Sequence, residues 1–146
     1  MNQVVQNGIV FAIGIGVGWF THFYCVNIRE RSSRLRVFRG FILTQILNWE
    51  AVDWKVLQPG QLFQLHQGTA TPVASECAKI LDDISGRVRA RFDAARMAYA
   101  TLKRQDVEPY GEYHPVHNPR AILHPDYERG RKRASDLLKA MREYAK

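Results

Sequence analysis

The first 28 residues of the chain contain no lysine, arginine, aspartate or glutamate. The first charged side chain is that of Arg29, and Arg31, Arg34, Arg36 and Arg39 follow it closely. A cleaved secretory signal would begin with a basic segment before its apolar run and would end in a small-x-small site, and the sequence has neither. The lack of an early basic segment and of a cleavage site therefore argues against a signal peptide.

Cysteine is scarce, since the chain has only Cys25 and Cys77. The first lies in the uncharged run and the second in the apolar series of a predicted helix, so no disulfide framework is expected. We expect Cys25 to be an unmodified thiol among aromatic side chains, with palmitoylation as the alternative. We interpret Cys77 as a core residue and not as a nucleophile.

Motifs of catalysis are also missing. The sequence contains no G-x-S-x-G, no Walker loop and no H-E-x-x-H. The alternation of Gly14, Gly16 and Gly18 suggests a dinucleotide-binding loop, but the position of its third conserved glycine holds Trp19. We therefore predict no cofactor, and enzymatic activity is not expected.

The feature that dominates the sequence is the uncharged stretch Gly8–Ile28, GIVFAIGIGVGWFTHFYCVNI. A helix rises about 1.5 Å per residue, so this stretch would cover roughly 30 Å, the thickness of a bilayer's hydrocarbon core. Thr21, His22 and Asn27 make it a marginal span, whereas the aromatic residues near its end suit the headgroup region. We predict a single transmembrane segment in residues 1–28, with a buried apolar element of a soluble protein as the alternative.

The flanking charges predict the orientation of that segment. Arginines are enriched on the cytoplasmic side of membrane helices, so the N-terminus should face outside and residues 29–146 should form a cytoplasmic domain at the cell (inner) membrane. We expect five arginines to contact anionic headgroups or an acidic partner, namely Arg29, Arg31, Arg34, Arg36 and Arg39. Gly14 and Gly18 form a G-x-x-x-G pair that could pack against another membrane helix.

After Arg29 the apolar residues recur at steps of three and four, which indicates an all-α domain. One coiled-coil-like series predicts a helix over about 29–57 that ends before Pro59-Gly60, with the residues Leu35, Phe38, Ile42, Trp49, Val52 and Val56. A second series runs through Gly86 and predicts a helix over about 72–104 that starts at Thr71-Pro72, with the residues Val73, Cys77, Ile80, Ile84, Val88, Phe92, Ala95, Tyr99 and Leu102. The short connection predicts that these two helices form an antiparallel hairpin.

Residues 105–125 are rich in proline and histidine, which predicts an irregular loop. Asp126 should cap a third helix over about 126–145, with Ala134, Leu137, Leu138, Met141 and Tyr144 facing inward. The loop histidines His114, His117 and His124 are candidate metal ligands, although histidines of such loops are more often simply exposed.

A basic patch is predicted at Arg87, Arg89, Arg91 and Arg96. It is interpreted first as a solvated face, then as a contact for anionic lipid or an acidic partner, and last as a nucleic-acid surface, because no recognition motif accompanies it.

The sequence therefore predicts a membrane-anchored interaction or scaffold module. Its expected partners are membrane lipid and another protein or a second copy, and nucleic acid is not expected. A membrane-tethered nucleic-acid-binding module and a metal-dependent enzyme using the histidine loop are the alternatives.

Overall fold

The structure is a computed structural model that describes residues 3–109 and 126–146, with side chains from Ile15 onward except that of Trp54. Its α-helices are α1 (Gln3–Glu50), α2 (Gln61–Ile80), α3 (Gly86–Ala100), α4 (Arg104–Val107) and α5 (Tyr127–Tyr144). Short 3₁₀ turns occupy Trp54–Val56 and Leu81–Asp83. These ranges contain no strand, which confirms the predicted all-α class.

The chain divides into two compact units, Met1–Arg34 and Leu35–Lys146. The first unit consists of the earlier part of α1, and the second contains the hydrophobic core. Across the part of the chain that the structure describes, no helix is both long enough and apolar enough to cross a membrane. The predicted boundary after Ile28 refers to the end of a membrane span, and it stays a prediction.

The buried face of α1 follows the predicted spacing as far as Trp49. Its core residues are Leu35, Phe38, Ile42, Ile46 and Trp49, all at most 8% exposed. The helix then ends at Glu50, whereas the sequence predicted an end near residue 57. Nη1 of Arg131 donates a hydrogen bond of 3.0 Å to the carbonyl oxygen of Glu50, which places a cation at the helix C-terminus.

A new turn begins at once after α1. Oδ1 of Asp53 accepts a hydrogen bond of 3.1 Å from the backbone N–H of Lys55 and so caps the first 3₁₀ turn. This change of direction carries Val56 out of the apolar stripe, and its side chain is 74% exposed. The predicted continuation of the stripe to Val56 is therefore wrong.

The predicted second helix, residues 72–104, is also wrong, because two helices occupy this region. α2 begins at Gln61, so Pro72 lies inside it and Thr71-Pro72 is not its start. The reason lies far along the chain in the fully buried Glu108. Its carboxylate accepts hydrogen bonds from the N–H groups that start α2, those of Gly60 (2.8 Å), Leu62 (3.0 Å) and Phe63 (3.2 Å).

α2 and α3 are separated by the turn Leu81–Asp83, after which Ile84 is extended. The break lets α3 fold back on α2, so that Nε2 of His66 lies 2.8 Å from the carbonyl oxygen of Tyr99. One straight helix would have left the apolar faces of both halves uncovered. A helical hairpin is therefore present, as predicted, but it joins α2 to α3.

α1 pairs differently from the prediction. The rings of Phe38 and Phe92 lie 5.9 Å apart, and Nε1 of Trp49 donates a hydrogen bond of 3.1 Å to the hydroxyl of Tyr99. Both contacts advance along the chain in the same order, so this part of α1 and α3 run parallel. The predicted antiparallel pairing of these two segments is wrong because the turn after α2 reverses the chain before α3 begins.

The last helix agrees with the prediction at both ends. Oδ1 of Asp126 accepts a hydrogen bond of 3.0 Å from the N–H of Arg129, and α5 ends at Tyr144. Near its start, Gly130 packs directly against the backbone of α4. A Cβ atom on Gly130 would lie only 1.6 Å from the carbonyl oxygen of Val107.

The predicted loop 105–125 is helical at its start, because α4 continues to Val107. The remainder, residues 110–125, lies outside the described residues. The candidate metal ligands His114, His117 and His124 are all in that range.

Candidate functional site

The second unit contains a groove of about 630 Å³ between α1 and α5. The two helices run antiparallel there, since Arg131 of α5 meets Glu50 at the end of α1 whereas Arg142 lies with the earlier Arg36 and Arg39. Five of the lining side chains are cationic and one is acidic; the lining residues are Arg36, Arg39, Gly40, Leu43, Lys139, Arg142, Glu143 and Lys146.

The α1 side of the groove follows from helical spacing. Residues 36, 39, 40 and 43 are three or four positions apart and so share one side of the helix. The neighbouring side carries the buried Phe38 and Ile42, which anchor α1 in the core. At Gly40, an added Cβ would meet no atom within 4 Å, so the wall of the groove is open at this point.

The α5 side is built in the same way. Residues 139, 142, 143 and 146 form a second stripe, and the fully buried Leu138 and Met141 hold the helix against the core. Cations therefore point into the groove from two helices whose opposite faces are fixed by packing.

The ion pairs of the lining residues leave much of this charge uncompensated. Nζ of Lys139 lies 2.7 Å from Oε1 of Glu50, and Lys146 pairs with Glu143. Arg36, Arg39 and Arg142 form no ion pair with any residue in the described part of the chain. The groove consequently presents three arginines that are available to an anion.

Glu50 joins the end of α1 to α5. The hydrogen bond from Lys139 lowers the pKa of the Glu50 carboxyl below its ordinary value, and Oγ of Ser135 lies 3.4 Å from the same oxygen. The carboxylate thus stays ionised near neutral pH and orients Lys139 at the edge of the groove.

The predicted headgroup-contacting arginines fall into two groups. Arg29, Arg31 and Arg34 are exposed in the first unit, and Nη1 of Arg34 lies 3.9 Å from Oε2 of Glu30. Arg36 and Arg39 belong to the second unit and line the groove. Sequence reasoning missed the cations of α5, although residues 139, 142 and 146 repeat at helical spacing, which is a recognisable signal.

The predicted basic patch on α3 forms no comparable groove in the described structure. Two of its arginines pair with acidic residues, Arg89 with Asp82 at 3.4 Å and Arg96 with Asp93 at 3.1 Å. The other two, Arg87 and Arg91, are exposed and form no ion pair in the described part of the chain. Of the predicted membrane-packing glycines, Gly18 would tolerate a Cβ freely, and Gly14 precedes the first described side chain.

A buried polar cluster lies between α1, α2 and α3. The Tyr99 hydroxyl lies 2.7 Å from Oγ1 of Thr69 and also accepts the hydrogen bond of Trp49. Burial raises the pKa of Tyr99, so the hydroxyl keeps its proton near neutral pH. These hydrogen bonds pair the buried polar atoms of Trp49, Thr69 and Tyr99 with one another. None of the three residues lines a groove in the described part of the structure.

Cys77 behaves as the predicted core residue. It is fully buried, and its Sγ lies 3.7 Å from Sδ of Met141. Burial raises the pKa of Cys77 to about 12, so the nucleophilic thiolate is scarce at neutral pH.

The first unit exposes large apolar side chains over more than half of its circumference. Seven of them, at 48–69% exposure, are Ile15, Val17, Trp19, Phe20, Phe23, Tyr24 and Ile28. Successive residues of a helix are turned by about 100°, so these positions cover roughly 220° of the circumference of α1. The exposed residues Gly18, Thr21, His22 and Cys25 occupy the remaining sector. The rings stack along the helix, Trp19 on Phe23 at 5.7 Å and Phe20 on Tyr24 at 6.4 Å.

No protein-family model, curated protein or solved structure matches this chain. The features on which a function can be argued are the apolar surface of residues 15–28 and the basic groove between α1 and α5.

Proposed function

We propose that this chain is a single-pass membrane protein whose residues 29–146 form a cytoplasmic helical module that holds a partner at the bilayer. Its role is interaction and not catalysis. The single observation that carries the proposal is the exposure of seven large apolar side chains over more than half of the circumference of α1 between Ile15 and Ile28, a stretch without charge.

A helix whose apolar surface extends over more than half of its circumference, with no charge on the remainder, is typical of the core of a large protein or of a membrane. An amphipathic helix that docks on its own domain would carry charged residues on its outer face, and residues 15–28 carry none. Contiguous apolar surface of this kind is rarely left in water by soluble proteins. A lipid environment supplies the cover that residues 15–28 lack.

The proposed span extends over residues 8–28, and the side chains of residues 8–14 lie outside those that the structure describes. By sequence, these positions are glycine, alanine and large apolar residues without any charge. Together with residues 15–28 they form an uncharged stretch of the length that a bilayer requires, about 20 residues, although Thr21, His22 and Asn27 make it a marginal span. The arginines from Arg29 onward then favour the orientation with residues 29–146 inside.

Two exposed valines of α1 allow a matched test. Val17 is 61% exposed in the middle of the proposed span, and Val37 is 65% exposed outside the span, between Arg36 and Arg39. An arginine at the centre of a membrane helix costs about 2.5–3.5 kcal/mol on insertion scales. Val17→Arg should therefore abolish integration of a marginal span, whereas Val37→Arg should leave it unchanged.

The measurement is the fraction of full-length chain that stays in the membrane pellet after extraction at alkaline pH. We expect wild type and Val37→Arg to remain in the pellet and Val17→Arg to appear in the supernatant. Release of the wild-type chain by the same extraction, or equal behaviour of the two variants, would contradict the proposal.

A further inference from the structure

The basic groove between α1 and α5 has an unusual charge balance for a surface that the fold itself needs. Its lining combines five cations with one carboxylate, Glu143, which pairs with Lys146. Lys139 pairs with Glu50 outside the lining, so three arginines remain uncompensated in the described structure. Like charges so close together repel one another, which costs stability unless an anion is present. The arrangement is therefore better explained by a ligand than by folding.

The identity of the cations restricts the chemical class of the ligand. Arg36, Arg39 and Arg142 have no ion pair in the described structure, and each guanidinium offers planar, paired donors. One arginine suffices for a carboxylate, whereas a phosphate has several oxygens that two or more arginines can share. A volume of about 630 Å³ also lies within the range of small-molecule sites.

We propose that this groove binds the phosphate group of a phosphate ester, carried by an anionic lipid headgroup or by a soluble compound. Arg39 and Arg142, which come from opposite walls, bind the phosphate oxygens together with Arg36. Gly40 and Leu43 provide an open, apolar part of the lining for the carbon portion of the ligand. The lipid form rests on the proposed membrane function, whereas the soluble form does not.

The structure allows charge and shape to be tested separately. Arg39→Gln combined with Arg142→Gln removes one arginine from each wall. Gly40→Phe keeps every charge but places a ring at the wall of the groove, where an added Cβ meets nothing within 4 Å. The matched control is Arg87→Gln with Arg91→Gln, which removes the same charge from two exposed, unpaired arginines of α3.

Binding is measured by titration calorimetry on the full-length chain in neutral detergent micelles, which accommodate residues 15–28 whatever their native environment. One arm titrates inorganic pyrophosphate. The other uses micelles containing short-chain phosphatidylglycerol, with phosphatidylcholine of the same chain length as the neutral reference. We expect the groove double variant and Gly40→Phe each to weaken binding at least about 10-fold, and the α3 control to weaken it less than about twofold.

The outcomes distinguish a lipid headgroup from a soluble compound as the source of the phosphate. They also distinguish failure of the phosphate groove from failure of the proposed membrane function. Binding of phosphatidylglycerol that pyrophosphate displaces assigns the groove to a lipid headgroup, and binding of pyrophosphate alone assigns it to the phosphate group of a soluble compound. If neither binds, or if the α3 control loses as much affinity as the groove variants, the inference is overturned. Because the micelles replace the membrane, either result is independent of the extraction experiment.

Discussion

Gly130 provides the sharpest quantitative test of the packing in the second unit. An alanine Cβ there would lie 1.6 Å from the carbonyl oxygen and 2.4 Å from the carbonyl carbon of Val107. Neither atom can rotate away, because both belong to the backbone of α4. One helix must therefore shift relative to the other, and the ion pair of Arg133 with Asp106, at 2.8 Å, opposes such a movement.

The magnitude follows from two opposing terms. Alanine is favoured over glycine inside a helix by about 1 kcal/mol. Overpacking of a well-filled contact costs about 1–3 kcal/mol and occasionally more, and contact with an immovable backbone belongs at the upper end. We expect Gly130→Ala to lower the free energy of unfolding by about 2 kcal/mol, which corresponds to a fall in Tm of roughly 8 °C for a unit of this size.

Gly68 is the matched control. It is exposed within α2, and an added Cβ would meet no atom within 4 Å. Gly68→Ala should therefore raise the stability by about 1 kcal/mol through helix propensity alone. Thermal melts followed by circular dichroism on the full-length chain in mild detergent would separate the two variants. A Gly130→Ala protein as stable as wild type would refute the close approach of α4 and α5.

Two further predictions concern buried groups. Glu108→Gln should lower the free energy of unfolding by about 1–3 kcal/mol, because an amide NH₂ must then replace one of two accepting oxygens. In one orientation the NH₂ would face the Gly60 N–H and the Arg104 guanidinium, which now donate to Oε2 at 2.8 and 3.2 Å, and in the other it would face the N–H groups of Leu62 and Phe63. Denaturant titration would measure the loss, with the partly exposed Glu76→Gln as control, and equal effects would argue against the cap. Cys77 has its pKa raised from 9.0 to about 12, so it keeps its proton in the folded state while the unfolded chain ionises. Its contribution to stability is complete below pH 9 and is lost as the pH rises toward 12, by up to about 1.4 kcal/mol per pH unit. Melts of wild type and Cys77→Ala between pH 8 and pH 11 should converge as the pH rises, and parallel curves would contradict the burial.

Much of the fold could be predicted from the spacing of apolar residues. Phe38, Trp49, Phe92 and Tyr99 were placed in the core by steps of three and four, and all are buried. Asp126 was recognised as a helix cap because the interaction is local, made with the backbone three residues later. Patterns that depend on residues close together in the chain therefore predict the core positions and this helix cap correctly.

The break between α2 and α3 could not be predicted in the same way. The apolar phase passes through it, because Ile80 and Ile84 are both buried although they lie on either side of the turn. The start of α2 depends on Glu108, whose partner Leu62 is 46 positions away in the chain. Neighbouring residues give no sign of a cap that tertiary folding alone brings into place.

The candidate groove was likewise only half predicted. Arg36 and Arg39 are predicted from the sequence to contact an anion because they follow the uncharged segment. Arg142 faces them only because α5 runs antiparallel to α1. That alignment depends on contacts such as the one between Glu50 and Arg131, which no local pattern reveals. The ion pairs of Arg89 and Arg96 on α3, and the lack of such pairs for the groove arginines in the described residues, also depend on tertiary contacts and so could not be predicted.

The most direct test of the proposed function is the side of the membrane on which residues 29–146 lie. Protease added to intact cells, or to sealed vesicles of inverted orientation, can be followed with an antibody against the last residues of α5. The account predicts that this epitope survives in intact cells and is digested in inverted vesicles. Digestion in intact cells, or recovery of the chain in the fraction free of membranes, would contradict it.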